Sequence, residues 1–143
     1  MKKNTKLLLF SLLFWFTLDI TGFSLGNFTL VESPGIKSID FIWWLFFIMF
    51  SILYLLKKRI GKYILSIFLV IWTAIQYTSH WHYTIFGVSE RKLSSYNSYF
   101  RNTYHIIPAS TNILIPDLYH IILHVLIISS LISLVVSIVK KRI

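Results

Sequence analysis

The chain has 143 residues, of which 56% are hydrophobic and only 13% charged, whereas a soluble globular domain carries about 25% charged residues. That balance leaves little room for a soluble fold and indicates one integral membrane domain, residues 1–143, because each crossing takes about 20 apolar residues and the connections use the rest. Fourteen Lys and Arg against five Asp and Glu give a formal charge of +9, and the lack of any Cys excludes disulfides, thiolate metal sites and cysteine nucleophiles.

In chain order, a basic flank of Lys2, Lys3 and Lys6 precedes an apolar run over residues 7–25. A cleaved signal peptide has a shorter apolar region and a better cleavage site than Ser24 and Gly26 offer, so the run is expected to be a retained first transmembrane helix with Asp19 inside it. Gly26, Asn27, Pro34 and Gly35 mark a loop, and Ser38 or Asp40 can cap a second helix over residues 39–56, rich in Phe and Trp. Lys57, Lys58, Arg59 and Lys62 form a tight basic turn into a third helix over residues 61–78. The fourth helix covers residues 116–139, and Ser129, Ser133 and Ser137 repeat at i+4 on it, a spacing that allows close helix packing.

The expected fold class is therefore all-α, an integral membrane four-helix bundle with a long outer loop, residues 79–115. Ten of the fourteen Lys and Arg lie at the N-terminus, in the second connection and at the C-terminus. The positive-inside rule makes those segments cytoplasmic, with both termini inside and the plasma membrane as the expected location. The positive charge then reports topology and contact with anionic lipid, and no nucleic-acid partner. Within the outer loop, Leu93, Tyr96, Phe100 and Tyr104 recur at helical spacing after Ser89, which predicts a short amphipathic helix on the outer membrane surface. Arg91, Lys92 and Arg101 are candidates there for holding a lipid phosphate.

The chemistry gathers at the outer end. Asp117, His120 and His124 stand at i, i+3 and i+7 of the fourth helix, within one narrow arc, and ionisable groups in a membrane-length segment are costly enough to suggest function. Thr73, Gln76 and His80 share a face of the third helix, and antiparallel packing brings Gln76 and His80 to the depth of His120 and His124. Two readings follow. The first is a membrane-embedded enzyme or cofactor-binding protein acting on a lipid or lipid-soluble substrate. Its His80, His82, His120 and His124 are candidate ligands of a divalent metal or haem, Gln76 and Arg101 are candidate cofactor contacts, and Asp117, His120 and His124 form the candidate catalytic group, with metal or by acid/base chemistry alone. The second is a non-catalytic accessory or immunity-type protein in which the same residues form an interhelical polar network and a membrane protein partner binds the helices. A transporter is disfavoured, since neither broken helices nor paired repeats are evident.

Overall fold

The computed structural model describes residues 2–140. Met1 and the expected basic C-terminal residues Lys141 and Arg142 lie outside the described residues. The elements are α1 (Lys2–Thr21), β1 (Phe23–Leu25), β2 (Phe28–Val31), α2 (Ile39–Leu56), α3 (Lys58–Gln76), a π-helical turn (Tyr77–Trp81), α4 (His82–Phe86), α5 (Glu90–Tyr99) and α6 (Leu118–Val139).

The first helix lies nearer the N-terminus than the expected residues 7–25, at Lys2–Thr21, and the chain that follows it is not a plain loop. Gly22, at a φ of 71°, ends α1, and the next residues fold back as an antiparallel hairpin in which Leu25 pairs with Phe28 and Ser24 with Thr29. Only Gly26 and Asn27 connect the strands. Gly26 has a φ of 57° and Asn27 is not in the positive-φ region, the pattern of a two-residue turn that begins with glycine and matches the strands' twist. The all-α expectation is corrected to this extent: the fold is mostly helical, with one small hairpin at the bundle end.

Helix α2 has the expected limits. The Ser38 hydroxyl accepts the Phe41 N–H at 3.2 Å, which satisfies one of the free donors of the first turn. Lys57 alone separates α2 from α3. So short a link forces the two helices together, and Gly61 permits it: a Cβ on Gly61 would overlap the Tyr54 backbone.

The third helix extends well beyond residue 78. α3, the π turn and α4 form one run of 29 residues from Lys58 to Phe86. The polar Thr78, Ser79 and His80 end the hydropathy signal, yet no Gly or Pro interrupts the chain until Gly87. The extra residue of the π turn accommodates the helix locally, and such turns recur at functional sites. His80 and His82 therefore belong to a helix, and the long connection starts at Gly87. Ser89 caps α5, its hydroxyl accepting the Lys92 N–H at 3.4 Å. α6 begins two residues later than expected because Asp117 is its cap and not a residue of the helix.

The four long helices form an antiparallel ring in which α1 packs on α2 and α6, and α3 packs on the same two. Side-chain pairs set the levels. Thr5 and Ser133 share a hydrogen bond of 2.6 Å, the Trp15 indole donates to the Tyr119 carbonyl at 3.1 Å, and the Trp44 indole donates to Thr17 at 3.0 Å. At the centre, Trp72 packs against the rings of Phe16, Phe47 and Phe68 at centroid distances of 4.6, 5.6 and 5.7 Å. Offset and tilted aromatic contacts of this kind add to simple area burial.

Among the described residues, three helices are long and apolar enough to cross a membrane: Ile39–Leu56, the run Lys58–Phe86, and Leu118–Val139. Their outward faces carry unburied Ile42, Leu45, Met49, Ile52, Ile67, Ile71, Val125 and Ile132, a continuous apolar exterior rather than scattered exposed residues. α1 has comparable length, but Lys2, Lys3, Lys6 and Asp19 make it less apolar.

Candidate functional site

Asp117 and His120 form the first component of the site. Asp117 is fully buried, and one of its carboxylate oxygens, Oδ1, accepts both the His120 backbone N–H at 3.0 Å and the His120 ring at Nδ1 at 2.6 Å. A single residue thus caps α6 and orients an imidazole. Because a carboxylate accepts, Nδ1 carries the proton, and the lone pair of neutral His120 lies on Nε2. Burial opposes ionisation of Asp117, but the hydrogen bonds it accepts, chiefly from His120, outweigh it and hold the carboxyl below its usual range.

His124 is held differently. Its Nδ1 meets the Trp81 indole N–H, and its Nε2 lies 2.7 Å from Gln76 Oε1. An indole N–H can only donate, so Nδ1 must accept; Nε2 then carries the proton and donates to Gln76. Both ring nitrogens are engaged, one to the π turn and one to α3. In this state His124 is a hydrogen-bonded link between helices, with no nitrogen left to bind a ligand.

His80, buried in the π turn, completes the group. Its ring centroid lies 4.4 Å from that of His120 and 5.4 Å from that of His124. Its Nδ1 is 2.6 Å from the Tyr96 hydroxyl. Burial pushes the Tyr96 phenol well above its ordinary range, so it remains an O–H. Tyr96 and Phe100 turn the apolar face of α5 onto the histidines, with Phe100 5.1 Å from His120. The expected amphipathic helix forms and packs its apolar face, with Leu93 buried, against the end of the long helices.

A cavity of about 270 Å³ opens beside His80 and His120, and Asp19 of α1, Glu32 after β2, Asp40 of α2 and Tyr119 of α6 also line it. It adjoins a wider outer recess of about 570 Å³ bearing Arg91 and Lys92; the two share Ser79, His80, Tyr99 and Phe100. On the other side of the Gln76–His124 bond, an almost wholly apolar groove of about 420 Å³ runs between Tyr77, Trp81 and Ile85 and, on α6, Ile121, Val125 and Ile128. Gln76 lines both the polar cavity and this groove.

The structure thus brings Gln76, His80, Asp117, His120 and His124 together, but not the rest of the expected set. His82 packs on Tyr77, Tyr83 and Phe86 and not on the other imidazoles. Arg101 is exposed just beyond α5, and His105 bonds to the Phe100 carbonyl at 3.1 Å. Among the described residues, no three His, Asp or Glu side chains are grouped to hold a metal ion; the Nδ1 atoms of His80 and His120 and both nitrogens of His124 already have partners. The site also includes residues that spacing did not reveal: Trp81, Tyr96, Tyr119, Glu32 and Asp40. Comparison with known protein families, curated proteins and solved structures returns no match to this chain.

The Asp117 arrangement fixes a pH dependence. A carboxyl depressed in the folded state stabilises the fold above its unfolded value of about 3.9, and that contribution is lost as pH falls through the folded value. The melting temperature in detergent is expected to drop on acidification below roughly pH 4, and Asp117→Asn is expected to lower it at pH 7 while flattening the acid limb. An acid limb of unchanged depth in Asp117→Asn contradicts this assignment.

Proposed function

We propose that this chain is an integral membrane protein whose outer end carries an acid/base site, with His120 as the proton-transferring group and Asp117 orienting it, acting on a lipid or lipid-soluble substrate. The observation that carries the reading is the contrast between two imidazoles on one helix. His124 has both nitrogens engaged, whereas His120 is held by a buried carboxylate through Nδ1 and keeps Nε2 for the cavity that its ring lines. A fixed tautomer with a free nitrogen is what a general base needs, and such groups contribute roughly 10²–10⁴-fold to rate. His80, with its ring beside that of His120, is the second group within reach of a bound substrate.

The apolar groove supports a lipid-soluble substrate. It meets the polar cavity at Gln76, so an amphiphile can place its tail against α6 and its reacting end near His120. At about 270 Å³ the cavity falls below the usual 300–1,000 Å³ of drug-sized sites, which favours a small polar group over a haem. The three long apolar helices, with α1 as a fourth crossing, favour a bilayer setting. The basic start of α1 and the Lys57–Lys62 turn favour a cytoplasmic face for that end, with both termini inside and the histidines in the outer leaflet of the plasma membrane.

A second reading, a partner-binding accessory protein, draws on the exposed apolar faces of α2 and α6. Lipid extracts separate the two. Cells expressing the wild-type chain are expected to differ in lipid composition from cells lacking it, and His120→Gln is expected to abolish that difference. His124→Leu is expected mainly to cost stability, about 0.6 kcal/mol and at most about 2. If His120→Gln leaves a wild-type lipid profile, or the wild type causes no change, the accessory reading takes its place. A reporter fused after Ile143 is expected to score cytoplasmic; an external score contradicts the orientation.

A further inference from the structure

We propose that the cavity beside His120 binds its ligand through a positively charged ammonium group, held between Asp19, Asp40 and Tyr119. The inference deepens the acid/base reading of the same site by naming the chemistry of what enters it.

The chain has only five acidic residues and a formal charge of +9, yet Asp19, Glu32 and Asp40 converge on one cavity from three separate segments. Among the described residues, no Lys or Arg lies within ion-pair distance of these three carboxylates, and neutral His120, which also lines the cavity, is hydrogen-bonded to Asp117. Like charges gathered without a cation raise one another's energy, and a cationic ligand relieves that cost. An independent observation points the same way. Tyr119, which lines the cavity, is 1% exposed, and its hydroxyl oxygen is buried with no hydrogen-bond partner among the described residues. An orphaned buried hydroxyl is costly and is ordinarily satisfied by a bound group.

The choice of an ammonium over a bare metal ion rests on the walls. Phe16, Tyr99 and Phe100 line the cavity with the carboxylates, and aromatic faces attract organic cations. No three acidic or imidazole groups of the described residues are arranged as metal ligands, and about 270 Å³ suits a small organic head. The adjoining recess with Arg91 and Lys92 can take an anionic group next to the amine, the sequence of charges in an aminophospholipid headgroup. A soluble amine shares the ammonium but lacks the tail.

The test uses the full chain in phosphatidylglycerol nanodiscs. Ethanolamine is titrated by calorimetry, and retention of phosphatidylethanolamine, added as a minor lipid, is read by native mass spectrometry. Asp19→Asn and Asp40→Asn are each expected to weaken binding by about tenfold or more. Tyr119→Phe is expected to weaken it less, and Glu90→Gln, on α5 outside the cavity, is expected to match the wild type. Elution as a monodisperse species checks each variant's fold, and Tyr119→Phe, which keeps the ring, serves if an Asn variant does not fold. Aspartate-dependent binding of ethanolamine supports the proposal with a soluble amine as the source; aspartate-dependent retention of phosphatidylethanolamine without ethanolamine binding supports it with a lipid source. Binding of neither, binding indifferent to all three substitutions, or aspartate-dependent binding of magnesium alone overturns it. Because the readout is binding and not turnover, a wild-type lipid profile in His120→Gln would count against the acid/base reading while leaving this inference standing.

Discussion

A histidine held at both ring nitrogens between two mostly apolar helices sets the geometry of the half of this protein that carries the site. Trp81 can only donate and Gln76 presents its carbonyl oxygen, so neutral His124 fits between them in one tautomer and one orientation. A shift of α3 against α6 by one residue breaks the bonds of an indole, an imidazole and an amide together. The individual hydrogen bonds are modest in energy. Their value lies in register: with α3 and α6 fixed at this level, the rings of His80 and His120 lie side by side, tilted by 36°, in the wall of the cavity.

The same logic separates two kinds of polar residue. Thr5 with Ser133, Trp15 with the Tyr119 carbonyl and Trp44 with Thr17 are satisfied pairs that align helices and leave no group free for chemistry. Asp117 has a double role, since the oxygen that caps α6 also holds the His120 ring. Orientation of the imidazole is therefore built into the start of the helix itself, without a further loop to place it. Above this layer, α5 and the hairpin close the end of the bundle. The connection after α5 is tied to both, the Tyr104 N–H donating to the Thr29 carbonyl at 2.8 Å and the Leu118 N–H to the Tyr104 carbonyl at 3.0 Å.

Much of this was legible in the residues. The limits of α2 follow from the Ser38 cap and an unbroken apolar run, and the spacing of Asp117, His120 and His124 foreshadows one polar face. Matched depths on antiparallel helices brought Gln76 and His80 into the same neighbourhood. Hydropathy failed where polar residues lie inside a helix: Thr78, Ser79 and His80 look like a loop, but only Gly87 breaks the chain. The hairpin was hidden because Phe23 and Leu25 continue the apolar run of α1, while the φ of Gly22 decides where it ends. Trp81, Tyr96 and Tyr119 resemble ordinary interfacial aromatics, and nothing in their spacing marks them as partners of histidines. Asp40 looked like a helix cap, and the convergence of Asp19, Glu32 and Asp40 is a product of tertiary packing alone.

The separate roles of His120 and His124 depend on two imidazoles of one helix being in opposite tautomers. Nitrogen NMR of the protein labelled with ¹⁵N-histidine and reconstituted in bilayers at neutral pH reports this directly, with His120→Gln and His124→Leu used to assign the signals. His124 is expected as the Nε2–H form and His120 as the Nδ1–H form with a bare Nε2. A His120 protonated at Nε2 alone, or a His124 exchanging between tautomers, contradicts the division between a structural and a reactive histidine.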